Sequence, residues 1–266
     1  MFKKISFKRS QLAIPYALFL ILFVILPLLL IVYYAFTNKD GNLSFANFIS
    51  FFSDRSKINT LVISIVIGGL TTVICLLIGY PIAYLLANKK YNKSKILVLL
   101  FVMPMWINFV LRTAATRDLL NAIGINGGET PYFAVLIGMV YNFLPFVILP
   151  LYSTMLKLDK SVVEASADLG AKPYQTFIKT IIPMTMPGII SASTMVFMPT
   201  MSSFVISDVL GERKIQLLGN LIDLNFNQSQ WNNGSTIAVI MLIILGISML
   251  LTKNVKKEDN ARGGLW

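Results

Sequence analysis

The chain has 266 residues, 56% of them hydrophobic, and its mean hydropathy is +0.72. A composition this apolar excludes an ordinary soluble protein and indicates a membrane protein. The chain has no histidine and one cysteine, Cys75, so that disulfide bridges within the chain, cysteine or histidine metal sites and histidine acid–base catalysis are excluded or nearly so.

Six apolar runs predict six transmembrane helices. The hydrocarbon core of a bilayer is about 30 Å thick, and a helix needs about 20 apolar residues to cross it. The runs lie near residues 12–36, 60–87, 96–116, 132–156, 181–206 and 235–252. The third has the shortest stretch without charge, because Arg112 interrupts it, and the first is too long for the apolar core of a signal peptide. We therefore expect an all-α polytopic membrane fold in which residues 1–266 form one transmembrane domain.

The basic residues predict the orientation of these helices. The net charge is +11, and most of the 23 Lys and Arg residues lie in four clusters: before the first run and after the second, fourth and sixth runs. The clusters contain Lys3, Lys4, Lys8, Arg9, Lys89, Lys90, Lys93, Lys95, Lys157, Lys160, Lys172, Lys179, Lys253, Lys256, Lys257 and Arg262. The positive-inside rule therefore predicts that both termini are cytoplasmic. The same distribution favours the lipid bilayer over nucleic acid as the partner of this charge.

The sequence contains no sign of ATP binding or of proton coupling. No G-x-x-x-x-G-K-[ST] phosphate-binding loop occurs, so energy from ATP would have to come from a partner. The interiors of the predicted spans contain no ionisable residue, and the nearest are Arg112, Arg117 and Asp118 at the outer end of the third span. A proton-coupled carrier is therefore difficult to build from this chain. Sodium coupling through backbone carbonyls and hydroxyls stays open, because such ligands carry no charge.

Prolines lie inside or at the ends of several predicted spans. They are Pro15, Pro27, Pro81, Pro104, Pro145, Pro150, Pro183, Pro187 and Pro199. Each frees a backbone carbonyl and favours a kink, which neighbouring helices or a water-filled path can accommodate. Ordinary helix packing explains many such residues. The fifth span contains three of them together with Gly188, which makes it the candidate gating or pathway-lining helix.

The connection between the fourth and fifth spans, residues 157–180, predicts a cytoplasmic helical hairpin. Ser161 and Glu164 have the S-x-x-E spacing of a capping box, which predicts the start of a helix. Gly170 suits the left-handed position after a helix, and Pro173 suits the first residue of a second helix. Tyr174, Phe177 and Ile178 would then share one face of this second helix. Such a hairpin either rests on lipid head groups or docks a cytoplasmic partner.

The hairpin sequence EASADLGAKPYQTFIKTIIP resembles the EAA loop of permeases from ABC importers. Glu164, Ala165, Gly170 and Pro183 match that pattern at its spacing. The departures are Ser166 for the second Ala, Thr180 for an Ile and Ile182 for a Leu. The surrounding runs resemble the PotB-type subgroup of spermidine/putrescine importers, in LIGYPIAYLLA from residue 77, PMWIN from 104, LPFVILPLYSTMLKLDK from 144, IIPMTMPGII from 181 and SDVLGE from 207. This resemblance covers most of residues 12–252 and does not extend into the terminal tails.

The resemblance implies a permease with the type I ABC importer fold and no catalytic activity, metal site or cofactor of its own. Its implied partners are a second permease subunit of PotC type, two copies of a cytoplasmic ATPase that binds ATP and Mg, and an extracellular or periplasmic polyamine-binding protein. Residues implied to couple to the ATPase are Glu164, Ala165, Ser166, Asp168, Gly170, Lys172 and Pro173. The implied location is the bacterial cell membrane, with several spans and cytoplasmic termini.

A path for polyamines needs groups that attract flexible polycations, such as carboxylates, carbonyl oxygens and aromatic faces. The candidate residues are Asp208, Trp106, Asn108, Tyr141 and Asn142. Asp208 is the foremost candidate, because it lies where the proline-rich fifth span ends. The competing roles are a solvated or helix-capping carboxylate for Asp208 and interfacial packing for the two aromatic residues. The alternative function is a self-sufficient secondary carrier or channel for a small cationic solute, and a membrane-embedded enzyme is a remote third.

Overall fold

The structure is a computed structural model that describes residues 13–38, 40–88 and 96–263. Side chains are described for residues 14–38, 40–88, 96–159 and 161–250. The basic clusters predicted near 3–9 and 89–95 lie outside the described residues, and so do the side chains of Lys160 and of the cluster at 253–262.

The regular secondary structure of the described residues is helical, apart from one isolated bridge between Thr37 and Leu43. The helices are α1 (Ile14–Ala35), α2 (Ala46–Ser53), α3 (Arg55–Ala87), α4 (Ile96–Trp106), α5 (Phe109–Ala122), α6 (Pro131–Met155), α7 (Lys160–Asp168), α8 (Pro173–Met184), α9 (Met186–Ser202), α10 (Phe204–Leu210), α11 (Leu218–Asn227) and α12 (Trp231–Gly263). Two of them contain a wider π-helical turn, at Ile21–Ile25 in α1 and at Phe177–Ile181 in α8.

Four of these helices are long and apolar enough to cross a bilayer as single helices: α1, α3, α6 and the Trp231–Leu250 part of α12. Two further candidate spans are bent pairs, α4 with α5 and α8 with α9. The described residues therefore contain six candidate spans when each bent pair counts as one, which confirms the prediction of an all-α polytopic membrane fold.

The third predicted span is not one continuous helix. The last turn of α4, Met103–Trp106, is a tighter 3₁₀ turn that contains Pro104, and Ile107 is extended. The side chain of Asn108 then begins α5 by accepting hydrogen bonds from the N–H groups of Val110 at 2.9 Å and Leu111 at 3.3 Å. The two helices meet at 97° because the chain stops one helix and caps another within a few residues.

The fifth predicted span is also broken. Helices α8 and α9 meet at 67° at Thr185, between Pro183 and Pro187. Pro187 has no N–H to donate to the carbonyl one turn earlier, so the helix is weakened where it bends. Helix α9 ends at Ser202, and the separate helix α10 follows, so the run predicted at 181–206 is divided a second time.

Backbone contacts divide the chain into two compact units, one up to residue 57 together with 221–243, and the other with 58–220 and the residues from 244 onward. In the larger unit, the core lies around α6 and α9, with Cys75 of α3 completely buried. A Cβ on Gly188 of α9 would stand 2.6 Å from the Thr154 hydroxyl of α6. Glycine at this position therefore permits the close approach of α6 and α9.

In the smaller unit, asparagine side chains donate hydrogen bonds to backbone carbonyls at the end of α1. The carbonyl of Thr37 accepts hydrogen bonds from the Asn47 side chain at 2.8 Å and from the Asn232 side chain at 2.8 Å. The Ala35 carbonyl accepts from Asn47 and from the Thr236 hydroxyl, both at 3.3 Å. These bonds satisfy carbonyl groups that the end of a helix leaves without partners.

Candidate coupling hairpin and substrate path

The hairpin of α7 and α8 begins with an N-cap at a different residue from the predicted one. Asp159 is the N-cap, and its carboxylate accepts the N–H of Ser161 at 2.9 Å. Hydrogen bonds from the Ser161 hydroxyl and N–H lower the pKa of Asp159 from its ordinary value. The predicted capping box of Ser161 and Glu164 is therefore wrong, because an aspartate two residues earlier takes the capping position.

The turn between the two helices follows the prediction. Gly170 has φ +81°, in the left-handed region. Its N–H donates to the carbonyl of Ala167 at 2.9 Å, and the N–H of Ala171 donates to that of Ser166 at 3.2 Å, which together form a Schellman motif. Lys172 is extended, and Pro173 is the first residue of α8. Backbone geometry is thus one role of Gly170 and Pro173.

Hydroxyl groups connect the inner sides of α7 and α8. The Ser166 hydroxyl lies 3.1 Å from that of Thr176, and the Thr180 hydroxyl donates to Ser166 at 3.4 Å. Ser166 and Thr180 are both departures from the EAA pattern. Ser166 and Thr180 therefore contact each other, and this polar contact holds the hairpin at two positions where the EAA pattern has apolar residues.

The outer side of the hairpin presents the predicted coupling residues except Ser166, which lies on the inner side. Glu164, Ala165, Asp168, Gly170, Lys172 and Pro173 are exposed. Leu169 at the tip is 89% exposed, which is unusual for a leucine in a capped helical turn. Of the three residues predicted to share one face of α8, Tyr174 and Ile178 are exposed. Phe177 instead packs edge-on against Tyr80 and Tyr84 of α3, with ring centroids 5.6 and 5.9 Å apart.

A pocket of about 260 Å³ lies beside the hairpin. It is lined by residues from the end of α3, the end of α6, the hairpin and α8, among them Tyr84, Asn88, Met155, Val163, Glu164 and Ile181. Glu164 is thus both an exposed residue of the hairpin and part of the wall of this pocket.

Three of the predicted path residues lie around Arg112 of α5, which the sequence analysis did not place in the path. Arg112 as a whole residue is only 8% exposed. Its Nε donates to the Asn142 side chain at 2.8 Å, and its Nη1 donates to the Pro104 carbonyl at 2.6 Å. It also lies 5.8 Å from the centre of the Tyr141 ring. Asn108 caps the same helix one turn before Arg112. In the sequence, the feature that could have indicated this site is Arg112 itself, a single arginine at the end of an apolar run.

Asp208 belongs to a second polar network, in the larger unit. Its carboxylate accepts the Asn220 side-chain N–H at 2.6 Å. The Asn220 oxygen accepts from the Ser207 hydroxyl and from the N–H of Leu217, both at 2.8 Å. The N–H of Leu218 donates to the buried Ser64 hydroxyl of α3 at 2.8 Å. Asp208 is therefore half-buried and held in one orientation, unlike Trp106, which is 80% exposed.

The turn after α10 has strained backbone beside this network. Glu212 and Arg213 have φ of +47° and +58°, in the left-handed region that residues with side chains rarely adopt. The Lys214 ammonium group donates to the carbonyl of Gly128 in the loop before α6. Strain of this kind persists only where surrounding structure holds it, and it is common at binding sites.

The chain matches known transport proteins over almost its whole length. Residues 10–255 match the family model of the binding-protein-dependent transport system inner membrane component. A spermidine/putrescine transport system permease protein, PotB, from Haemophilus influenzae is 34% identical, with 97% of this chain and 96% of that protein covered. The Escherichia coli PotB is 36% identical, with 87% and 92% covered.

Solved structures show the same fold. A chain of a bacterial alginate ABC transporter, in complex with an alginate pentasaccharide-bound periplasmic protein, superposes with a TM-score of 0.70 at 11% identity, over 94% of this chain and 93% of that one. A chain of an amino acid ABC transporter superposes with a TM-score of 0.58 at 15% identity, over 82% and 99%. This chain therefore belongs to the family of binding-protein-dependent transport system inner membrane components, the multi-pass and non-catalytic membrane subunits of ABC transporters that work with an ATPase and a binding protein.

Proposed function

We propose that this chain forms part of the transmembrane path of a polyamine importer and that a separate ATPase drives it through the hairpin of α7 and α8. Spermidine and putrescine are the proposed substrates, because PotB relatives at 34% and 36% identity carry these names. Both termini and the hairpin would face the cytoplasm, in agreement with the basic clusters of the sequence.

The observation that carries the coupling proposal is the contrast between the two sides of the hairpin. The inner side is fixed by the Schellman motif at Gly170 and by the Ser166–Thr176 contact. The outer side presents Leu169 and the exposed Glu164. A rigid protrusion with an apolar tip and a carboxylate is suited to a cleft of another protein, whereas a hairpin that rests on anionic lipid would place its carboxylates unfavourably.

The proposed complex contains this chain, a PotC-type second permease, two copies of the ATPase and an external polyamine-binding protein. The strained turn at Glu212 and Arg213 and its neighbour, the loop before α6, are the proposed contact for the binding protein. A turn that is held in a strained conformation keeps its shape when a partner approaches, which favours recognition.

Within the proposed path, Asp208 is the residue best suited to a polycation. It carries a negative charge, and its orientation is set by Asn220. The Tyr141 ring and the Asn142 side-chain oxygen would attract an amine, but both already contact the guanidinium of Arg112. The positive charge of Arg112 would also repel a polyamine. Trp106 and Asn108 are also proposed path residues, and only their positions near the bend between α4 and α5 support this.

The experiment is reconstitution of the purified complex in liposomes with labelled spermidine, ATP and the binding protein. We expect uptake that depends on ATP and on the ATPase subunit. Uptake by this chain alone under a sodium gradient would instead indicate a self-sufficient carrier. ATP-driven uptake of another solute but not of polyamines would overturn the substrate and leave the coupling proposal in place.

The hairpin is tested by a matched pair of glycine variants. Gly170 and Gly124 both have φ +81°, both have open space at the position of a Cβ, and both donate their N–H to the carbonyl three residues earlier. Proline in either place is incompatible with this backbone. We expect Gly170→Pro to abolish co-purification of the ATPase and Gly124→Pro to preserve it. Equal co-purification by both variants would overturn the docking role of the hairpin.

A further inference from the structure

We propose that the hydrogen bond between Tyr80 of α3 and Thr185 transmits the movement of the hairpin to the membrane helices. This inference rests on the proposed function of the hairpin. Tyr80 would be a positioning residue: it contacts neither the ATPase nor the substrate, and it acts by holding together two helices that are each weakened by proline.

The contact itself is short and buried. The Tyr80 hydroxyl oxygen lies 2.6 Å from the Thr185 hydroxyl oxygen, and both side chains are buried. The Thr185 hydroxyl also lies within hydrogen-bond distance of the carbonyls of Ile181, at 2.9 Å, and Ile182, at 3.1 Å. In the contact between Tyr80 and Thr185, either hydroxyl can be the donor. A buried bond of this kind is effective as a link, because neither partner finds water when the bond is broken.

Thr185 lies at a bend between two helices, and Tyr80 lies beside a proline inside a continuous helix. Thr185 occupies the 67° bend between α8 and α9. Tyr80 directly precedes Pro81, the internal proline of α3, which removes a backbone hydrogen bond and crowds the carbonyl one turn earlier. The bond thus joins two positions at which the helices can change direction, although the residues are 105 positions apart in the chain.

A second contact ties the hairpin to the same end of α3. Phe177 of α8 lies edge-on against Tyr80 and Tyr84, with interplanar angles of 86° and 87°. Edge-to-face rings hold a preferred orientation more firmly than disordered aliphatic contacts do. Phe177 is eight residues before Thr185, and α8 continues directly from the hairpin turn. A displacement of the hairpin therefore has to carry the last turns of α3 with it.

The experiment uses the reconstituted complex with four single variants and one double variant of this chain. Tyr80→Phe and Thr185→Val remove the bond with little change of shape. Thr185→Ser keeps the hydroxyl, and Tyr84→Phe keeps the ring contact with Phe177 while it removes a different hydroxyl. The measurements are co-purification of the ATPase, ATP hydrolysis with and without the loaded binding protein, and spermidine uptake per ATP hydrolysed.

We expect Tyr80→Phe and Thr185→Val each to lower uptake per ATP hydrolysed by about tenfold, with the ATPase still bound and hydrolysis still present. Thr185→Ser and Tyr84→Phe should stay within about twofold of the unmodified chain. The double variant Tyr80→Phe, Thr185→Val should fall no further than either single variant, because both remove the same bond.

Unchanged uptake per ATP in Tyr80→Phe would overturn this inference, and so would effects of the two single variants that multiply in the double variant. Loss of ATPase binding in Tyr80→Phe would also overturn it, since the bond would then serve assembly rather than transmission. Failure of the unmodified chain to bind the ATPase is a different result, which would overturn the proposed function instead.

Discussion

The two bent helix pairs each contain proline near the bend, but different groups hold them. Both are apolar runs interrupted by proline, and both lie in the larger unit. At the 97° bend, the charged guanidinium of Arg112 donates to Pro104 on α4 and to Asn142 on α6. At the 67° bend, a neutral hydroxyl pair, Tyr80 and Thr185, makes the connection.

This difference indicates different mechanical roles for the two bends. A buried charge whose partners are lost is destabilised far more than a neutral hydroxyl, so the Arg112 bend has few accessible alternatives. A neutral hydrogen bond can be exchanged for another at a small change in free energy. We therefore interpret the α4–α5 bend as a rigid element and the α8–α9 bend as a joint, and the following variants test that contrast.

The largest effect should follow from Arg112→Met, which removes the charge at the rigid bend. The Asn142 oxygen and the Pro104 carbonyl would both lose their donor in a buried place. We expect the free energy of unfolding to fall by about 2 to 4 kcal/mol, measured from thermal or denaturant unfolding in detergent. Arg117→Met is the matched control, because Arg117 is exposed and pairs with the adjacent Asp118; it should change stability by less than about 0.5 kcal/mol. Equal effects would contradict the rigid role.

An intermediate effect should follow from Arg112→Lys, which keeps the charge but not the planar fork. One ammonium group cannot reproduce the fixed directions of Nε and Nη1 towards α6 and α4. We expect a loss of about 1 to 2 kcal/mol in the same unfolding measurement, between the unmodified chain and Arg112→Met. Full stability in Arg112→Lys would show that charge alone holds the bend.

A smaller effect should follow from Asn108→Ala, because Asn108 caps α5 without joining the two helices. Loss of an N-cap costs about 1 kcal/mol. Asn108→Asp is the control, since aspartate accepts the same two backbone N–H groups, and it should retain nearly full stability. A loss in Asn108→Ala as large as that in Arg112→Met would contradict the assignment of the bend to Arg112.

The smallest effect concerns the hairpin cap. Hydrogen bonds from Ser161 lower the pKa of Asp159 below its ordinary value of 3.8, so the charged cap contributes fully above that pH and is lost only as the pH falls through the lowered pKa. We expect Asp159→Ala to reduce hydrogen-exchange protection at 161–164 and Asp159→Asn to preserve it, with the same ratio at pH 5 and at pH 7. A marked loss of the cap between pH 7 and pH 5 in the unmodified chain would contradict this.

The hairpin turn was predictable from sequence because its contacts are local. Gly170 and Pro173 act on backbone within a few residues, and both were placed correctly. The N-cap was misplaced because Asp159 and Ser161 are both good capping residues and only packing decides between them.

The contacts that hold the bends were not predictable in this way. Arg112 and Asn142 are 30 residues apart, and Tyr80 and Thr185 are 105 apart. Such pairs depend on how helices pack against each other, and no local pattern encodes that. Prolines indicated where the spans would weaken, but the angle and the group that fixes it came from tertiary contacts.

The proposed coupling requires that the hairpin lies in the cytoplasm and seats in the ATPase. Its most direct test is a single cysteine at the tip, Leu169→Cys, in a chain that also carries Cys75→Ala to remove the one native cysteine. We predict that a membrane-impermeant maleimide leaves this cysteine unlabelled in intact cells, labels it in inverted vesicles without ATPase, and labels it at least tenfold more slowly once the ATPase is bound. Rapid labelling from outside intact cells would contradict a cytoplasmic hairpin, and labelling in vesicles that the ATPase does not slow would contradict its docking to the ATPase.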